Sequence, residues 1–447
     1  MAELSGFPCF EIQFDKEGKI HDAGELERAL AFAAGGSVTD LFVISHGWNN
    51  DMKEARGLYQ DFFARVREVT DAGAVAGAGA RKFGVIAILW PSKRFAEDEL
   101  KPSGAASARA DVPVAFVKKQ LDGLKGVFDN PKSDKIIAEA KALVSTLEKS
   151  PAARRKFVKL VRSLPGKQTA DREDASDRFF KLSEDDVMAR LSKPVREAPR
   201  RPRPGGGAAG GAAVIGARPV SGGAASLGGL FTGFVSGARN LLNFTTYFQM
   251  KQRAGVVGSG GVNEVLRKIR ANGPNLKLHL IGHSFGGRLV TAAALGPSGK
   301  APVRIDTLTL LQAAFSHNGF GQKFDKKNDG FFRKVVSEGR VSGPVVITCT
   351  ENDKAVGAAY PLASLLSGDD AAALGDRSDR FGGIGRNGAL VEFTPEASDG
   401  VLGAVGSTYA FDGGKLYNLN ADKIIGGHSD ICKREVAYAM LSAVARS

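Results

Sequence analysis

The stretch Leu276-Lys277-Leu278-His279-Leu280-Ile281-Gly282-His283-Ser284-Phe285-Gly286-Gly287, running on into Arg288-Leu289-Val290-Thr291-Ala292-Ala293-Ala294-Leu295, decides how this chain is read. Its first six residues alternate as a strand and its last eight have helical character, with Gly-x-Ser-x-Gly at 282–286 between them. A serine on so sharp a turn sits on strained backbone. Gly282 and Gly286 remove the Cβ atoms that would clash across it. The Ser284 hydroxyl is then expected at the carboxyl end of a sheet strand, with a helix N-terminus beneath it. The alternative is an ordinary glycine-rich turn; the strand before and the helix after favour a nucleophile elbow.

On both sides of this stretch the chain alternates strand and helix. Upstream, strands are expected at 10–14, 41–45 and 83–90, the last stopped by Pro91, with helices at 25–32 and 51–69. Around and beyond the serine, helix is expected at 262–269, 360–366 and 431–444, and strand at 305–311, 345–350 and 416–419. Leu41-Phe42-Val43-Ile44 is a continuous apolar run, as in a strand buried on both faces of a parallel sheet. Repeated βα units predict an α/β protein with a doubly wound, mostly parallel sheet and its site at the strands' carboxyl ends.

Residues 93–249 interrupt this pattern, leaving 1–92 and 250–447 as the expected core. The interruption reads as a large helical and flexible insertion, a cap or lid region placed before the elbow. Amphipathic helices are expected at 136–147, 157–164 and 179–191. A Gly-, Pro- and Arg-rich run at about 199–229 reads as a flexible loop. After it Leu227, Leu230, Phe231, Phe234, Leu241, Leu242, Phe244, Tyr247 and Phe248 form an apolar stretch. That stretch reads either as a packed helix or as a mobile lid or interfacial helix.

The net charge of +13 is concentrated in this insertion: 91–250 carries 28 Lys and Arg against 17 Asp and Glu. A basic chain invites a nucleic-acid partner, but no zinc-finger spacing, aromatic RNA-binding signature or Walker lysine supports one; the charge is better read as a property of the insertion, which could hold the protein on an anionic membrane surface. Cys9, Cys349 and Cys432 are too scattered for a disulfide framework or a cysteine zinc site, a usage that suits a reducing compartment. No signal peptide is recognisable, and no run reaches the roughly 18 apolar residues of a membrane span. A cytoplasmic location is therefore expected, with secretion by a signal-less route as the alternative.

A serine nucleophile needs a base, and six histidines allow elimination. His21 precedes the sheet, His279 lies inside a strand, His283 should lean away from Ser284, and His46 ends an early strand. Of the two that follow Ser284, His428 lies in a glycine-bearing loop before the last helix and is the expected base; His317 is the alternative, and also a pocket candidate. The orienting carboxylate is expected to be Asp353, beyond the strand at 345–350, with Glu351 and Asp306 as competitors and an ordinary helix N-cap as its bland role. The oxyanion donors are expected to be the backbone N–H groups of Phe285 and Trp48. His46, Gly47, His283 and His317 are the expected substrate-facing residues.

The order Ser284, Asp353, His428, with His46-Gly47-Trp48 upstream, resembles the α/β-hydrolase superfamily, in particular bacterial serine esterases and lipases, over roughly 1–92 and 250–447. The run Thr246-Tyr247-Phe248-Gln249-Met250-Lys251-Gln252-Arg253-Ala254-Gly255 is also similar to a stretch before the elbow in uncharacterised bacterial hydrolases. The resemblance implies a parallel-rich sheet flanked by helices, an acyl-enzyme mechanism and no metal or organic cofactor. The function expected from it is hydrolysis of a small-molecule or lipid ester. The alternatives are amide or peptide hydrolysis or acyl transfer with the same residues, or a non-catalytic scaffold that binds partners through the basic insertion.

Overall fold

The computed structural model describes residues 2–48, 50–92, 114–165, 173, 176–193, 233–353, 355–356, 366 and 377–447. Its centre is a nine-stranded sheet ordered β1-β2-β4-β3-β5-β6-β7-β9-β8. The strands are β1 (Ala2–Leu4), β2 (Phe7–Gln13), β3 (Asp40–Ser45), β4 (Phe83–Leu89), β5 (Lys277–His283), β6 (Thr307–Leu311), β7 (Val345–Cys349), β8 (Ala397–Val401) and β9 (Leu416–Asn420). Every pairing is parallel except β1 with β2.

The apolar runs expected to form buried strands do so, and their period of two feeds two separate cores. Leu41 and Val43 of β3, with Ile86 and Ile88 of β4, face one side. That layer contains α1 (Ala23–Ala34), α8 (Phe234–Val256), α9 (Asn263–Asn272) and α10 (Phe285–Leu295). Phe42 and Ile44, with Val85 and Ala87, face the other side, covered by α2 (Met52–Asp71) and the C-terminal helix Arg434–Val444. Asp51 starts α2 with a capping box: its side chain accepts from Lys53 and Glu54, and Glu54 returns a bond to its N–H.

The insertion supplies α3 (Val114–Asp122), α4 (Ser133–Leu143), α5 (Pro151–Arg162), α6 (Ser176–Lys181) and α7 (Glu184–Leu191). Their apolar residues, among them Leu121, Ile137, Phe157, Phe179 and Leu191, join Leu241, Leu242 and Phe244 of α8 in the same core as Leu289 and Val290 of α10. The part of the apolar stretch at 234–248 is thus a packed helix; Leu227, Leu230 and Phe231, the loop at 199–229 and most of the helix expected at 360–366 lie outside the described residues. The boundary expected at 249/250 falls inside α8, which continues through a π-helical turn, Val257–Val262, into α9. A side chain at Gly258 would stand 2.1 Å from the carbonyl oxygen of Leu289, so this turn lies directly on α10. Among the described residues no helix is long and apolar enough to cross a membrane.

Strand order reverses at β3. From β3 the chain moves to β4 on one side, then returns to β5 on the other and proceeds outward through β6 and β7. The crevice beyond the carboxyl ends of β3 and β5 is the topological switch point, where open α/β sheets place their ligands.

Candidate active site

Ser284 sits at that point, between β5 and α10, with φ 56° and ψ −124°. This is sparsely populated backbone for a residue with a side chain, and it is held from several directions. The Ser284 N–H donates to the Leu311 carbonyl at 3.0 Å, and the Ser284 carbonyl accepts from Gly287 and Ala314. Gly286 permits the turn: a Cβ there would lie 2.1 Å from the Ser45 carbonyl oxygen and 2.5 Å from that of His46. Gly47 brings the loop after β3 onto the serine, since a Cβ there would lie 2.6 Å from Ser284 Cβ. The rings of Trp48 and Phe285 meet edge to face, centroids 5.9 Å apart.

His428 Nε2 lies 2.8 Å from Ser284 Oγ, and its Nδ1 lies 2.8 Å from Asp353 Oδ2. In the neutral imidazole this fixes the proton on Nδ1, donated to the carboxylate, and leaves Nε2 to accept from the serine hydroxyl. Asp353 is fully buried and is bonded on both sides: Oδ2 faces His428 Nδ1 while Oδ1 accepts the Val356 N–H at 2.9 Å. His317 lies buried with Nδ1 3.1 Å from Asn387 Nδ2. Asp306 accepts from the Leu278 N–H and pairs with Arg270 and Lys277 at the start of β5, the opposite edge of the sheet. Glu351 stands beside Asp353, its N–H donating to Asp422 Oδ1 at 2.8 Å.

Sequence reasoning missed how the two loops are fastened together. Asp422 Oδ1 also accepts from Thr350 Oγ1 at 2.7 Å, and Asn352 Nδ2 donates to the Asp422 and Ile425 carbonyls. The acid-bearing and histidine-bearing loops are therefore one hydrogen-bonded unit. No local pattern announces this, because Asp422 lies 70 residues from its partner Asn352.

His283 donates from Nε2 to the His428 carbonyl at 2.9 Å, with the two rings 4.9 Å apart, so the elbow holds the histidine loop directly. Burial pushes its pKa down to about 3, and the nearby His428 adds to that effect. His283→Gln is expected to lower turnover about 10- to 100-fold through loss of His428 placement, with KM little changed. Equal kcat values for the two proteins would remove this role.

His46 lies beneath the loop after β3. Its ring stacks on Trp90 at 5.6 Å, Nδ1 meets the Gly47 carbonyl at 2.9 Å, and Nε2 accepts the Trp90 N–H at 3.3 Å. Tyr59 supports it, its hydroxyl accepting from the His46 N–H at 2.7 Å and donating to the Ile88 carbonyl. Complete burial pushes the His46 pKa down to about 4 from 6.5. A histidine kept neutral by the fold binds its proton only on unfolding, so this contribution is full above pH 6.5 and is lost as pH falls toward 4. The loss is expected to be on the order of 3 kcal/mol at its full extent. Urea midpoints between pH 7.5 and 4.5 should show it, and His46→Gln should flatten that slope.

His279 sits at the far edge of the sheet, between Asp40 Oδ1 and Thr307 Oγ1 at 2.9 Å each. Among the described residues no group of three or more His, Cys, Asp or Glu side chains is placed to hold a metal ion. Comparison of the chain with protein-family models, with curated proteins and with solved structures gives no match.

Proposed function

We propose that the chain is a serine hydrolase with an α/β-hydrolase fold, cleaving carboxylic esters through an acyl-enzyme. The single observation that carries the reading is the Asp353–His428–Ser284 chain of two 2.8 Å hydrogen bonds, ending on a serine of strained backbone.

Ser284 Oγ attacks the ester carbonyl carbon while His428 Nε2 takes the hydroxyl proton. Asp353 keeps the imidazole in the required tautomer and stabilises its charged form. The N–H groups of Phe285, at the head of α10, and of Trp48 receive the developing oxyanion. The tetrahedral adduct collapses, its C–O bond to the alcohol breaks, and the leaving alkoxide takes the proton from His428. Water then attacks the acyl carbonyl and gives its proton to Nε2. The acid departs as Ser284 recovers its hydroxyl proton. In this reading Gly47 lets the Trp48 loop close on the serine, His283 holds the His428 loop and His46 supports the loop bearing Trp48, while His317 packs against Asn387.

A series of p-nitrophenyl esters of increasing chain length on the purified protein tests hydrolysis and acyl preference together. Turnover of anilides with none of esters would assign the same residues to amide cleavage, and turnover of neither would leave the scaffold reading.

A further inference from the structure

A cavity of about 600 Å³, apart from the candidate active site, lies between α8, α10 and the 324–331 loop. It is lined by Phe248, Lys251 and Val256 on one side and by Arg288, Leu295 and Phe331 on the other. Neither Ser284, His428 nor Asp353 borders it.

Three arginines are buried among the described residues: Arg253, Arg288 and Arg333. Arg253 pairs with Asp129 at 3.0 Å and Arg333 with Glu396 at 2.7 Å. Arg288, 5 % exposed, pairs with no carboxylate, and its buried Nη1 has no hydrogen-bond partner. Nε is used, donating to the Lys251 carbonyl at 3.0 Å. The guanidinium carbon lies 5.1 Å and 5.2 Å from the ring centres of Phe331 and Phe332, within cation–π range of both. A buried guanidinium nitrogen left without an acceptor is costly, and the fork geometry of the group suits the two oxygens of a carboxylate.

Two carboxylates also border the cavity, yet each already serves the backbone. Glu173 accepts the Phe331 N–H at 2.6 Å and Asp329 accepts the Lys323 N–H at 2.9 Å. Neither forms an ion pair with Arg288, so Nη1 of the guanidinium stays without an acceptor. The lining is mixed at its exposed edge, with Asp329 and Ser298, but it also carries Val256 and Phe331, 47 % and 49 % exposed, two of the four large exposed hydrophobic residues among those described. An unpaired buried guanidinium beside exposed apolar side chains suits a ligand with both characters.

We infer that this cavity binds an amphiphilic monocarboxylate, with its carboxylate on Arg288 and its hydrocarbon chain against Phe248, Leu295, Val256 and Phe331. The inference stands independently of the hydrolase reading, because it uses none of that site's residues.

Calorimetric titration of the full chain with dodecanoate, below micelle formation, tests it. One dodecanoate per chain is expected, with dodecanol and acetate each binding at least tenfold more weakly. Arg288→Gln and Val256→Glu should each weaken dodecanoate at least tenfold. Val256 is half exposed, so its variant keeps the fold and decides the matter if Arg288→Gln does not fold. Dodecanol binding as tightly as dodecanoate would overturn the carboxylate assignment, and acetate binding as tightly would overturn the chain-binding role. Undiminished dodecanoate binding by Val256→Glu would place the ligand elsewhere and overturn the inference.

Discussion

Replacing Ser284 by alanine is expected to slow hydrolysis of p-nitrophenyl butyrate by about 10⁴-fold or more, while the protein stays folded. The change removes one oxygen. It leaves untouched the backbone bonds that hold residue 284, to Leu311, Gly287 and Ala314. His428 keeps its bond to Asp353 and its carbonyl keeps the bond from His283. Circular dichroism and the thermal midpoint should therefore match the native chain, and kcat/KM should carry the whole effect. A residual rate within tenfold of native, in a folded variant, would sink the assignment of Ser284 as nucleophile.

Asp353→Asn is the next largest expected effect, about 10⁴-fold in kcat. Asparagine keeps an oxygen to accept the Val356 N–H, so the turn after β7 is preserved. The group facing His428 Nδ1 becomes an N–H donor, which repels the Nδ1 proton and drives the imidazole to the tautomer that cannot accept from Ser284. Alanine at 353 would lose the turn as well, adding about 1 kcal/mol of destabilisation. Comparing the two variants separates orientation of the base from support of the loop. Glu351→Gln should stay within about twofold of native; a larger loss there than at Asp353 would assign the carboxylate role to Glu351.

Most of the sheet was legible because its strands are buried on both faces. Runs such as 41–45 and 83–89 have no polar side chain to place until they end at the site. The strands that escaped sequence reasoning lie at the sheet edges. β8, Ala-Ser-Asp-Gly-Val, is largely exposed and carries no apolar pattern. Its place comes from backbone pairing with β9 and from Asp399, which accepts from Asn418 Nδ2 at 2.8 Å and pairs with Arg377. β1 is three residues long and rests on an antiparallel pairing with β2.

Of the site, what chain order and loop position could supply was legible: Ser284, Asp353 and His428 come together as expected. The supporting contacts were not, because they join distant segments. The Asn352 and Asp422 clasp, the Trp90 and Tyr59 cradle around His46 and the His283 bond to the His428 carbonyl all depend on loop geometry that no local pattern encodes. The π-turn at 257–262 is a related case. Val-Gly-Ser-Gly-Gly-Val has poor helix propensity, and it stays helical where Gly258 lies close against α10 and Gly261 against Gly18 and Phe14.

That turn makes α8 common property. Its first half is clad by the helices of the insertion and its last half lies against α10, whose head presents Ser284. The insertion is therefore not a cassette that could be lifted out or exchanged at 93 and 249. Any descendant or engineered chain that trades this insertion for another must keep 234–256, or find another apolar cover for α10.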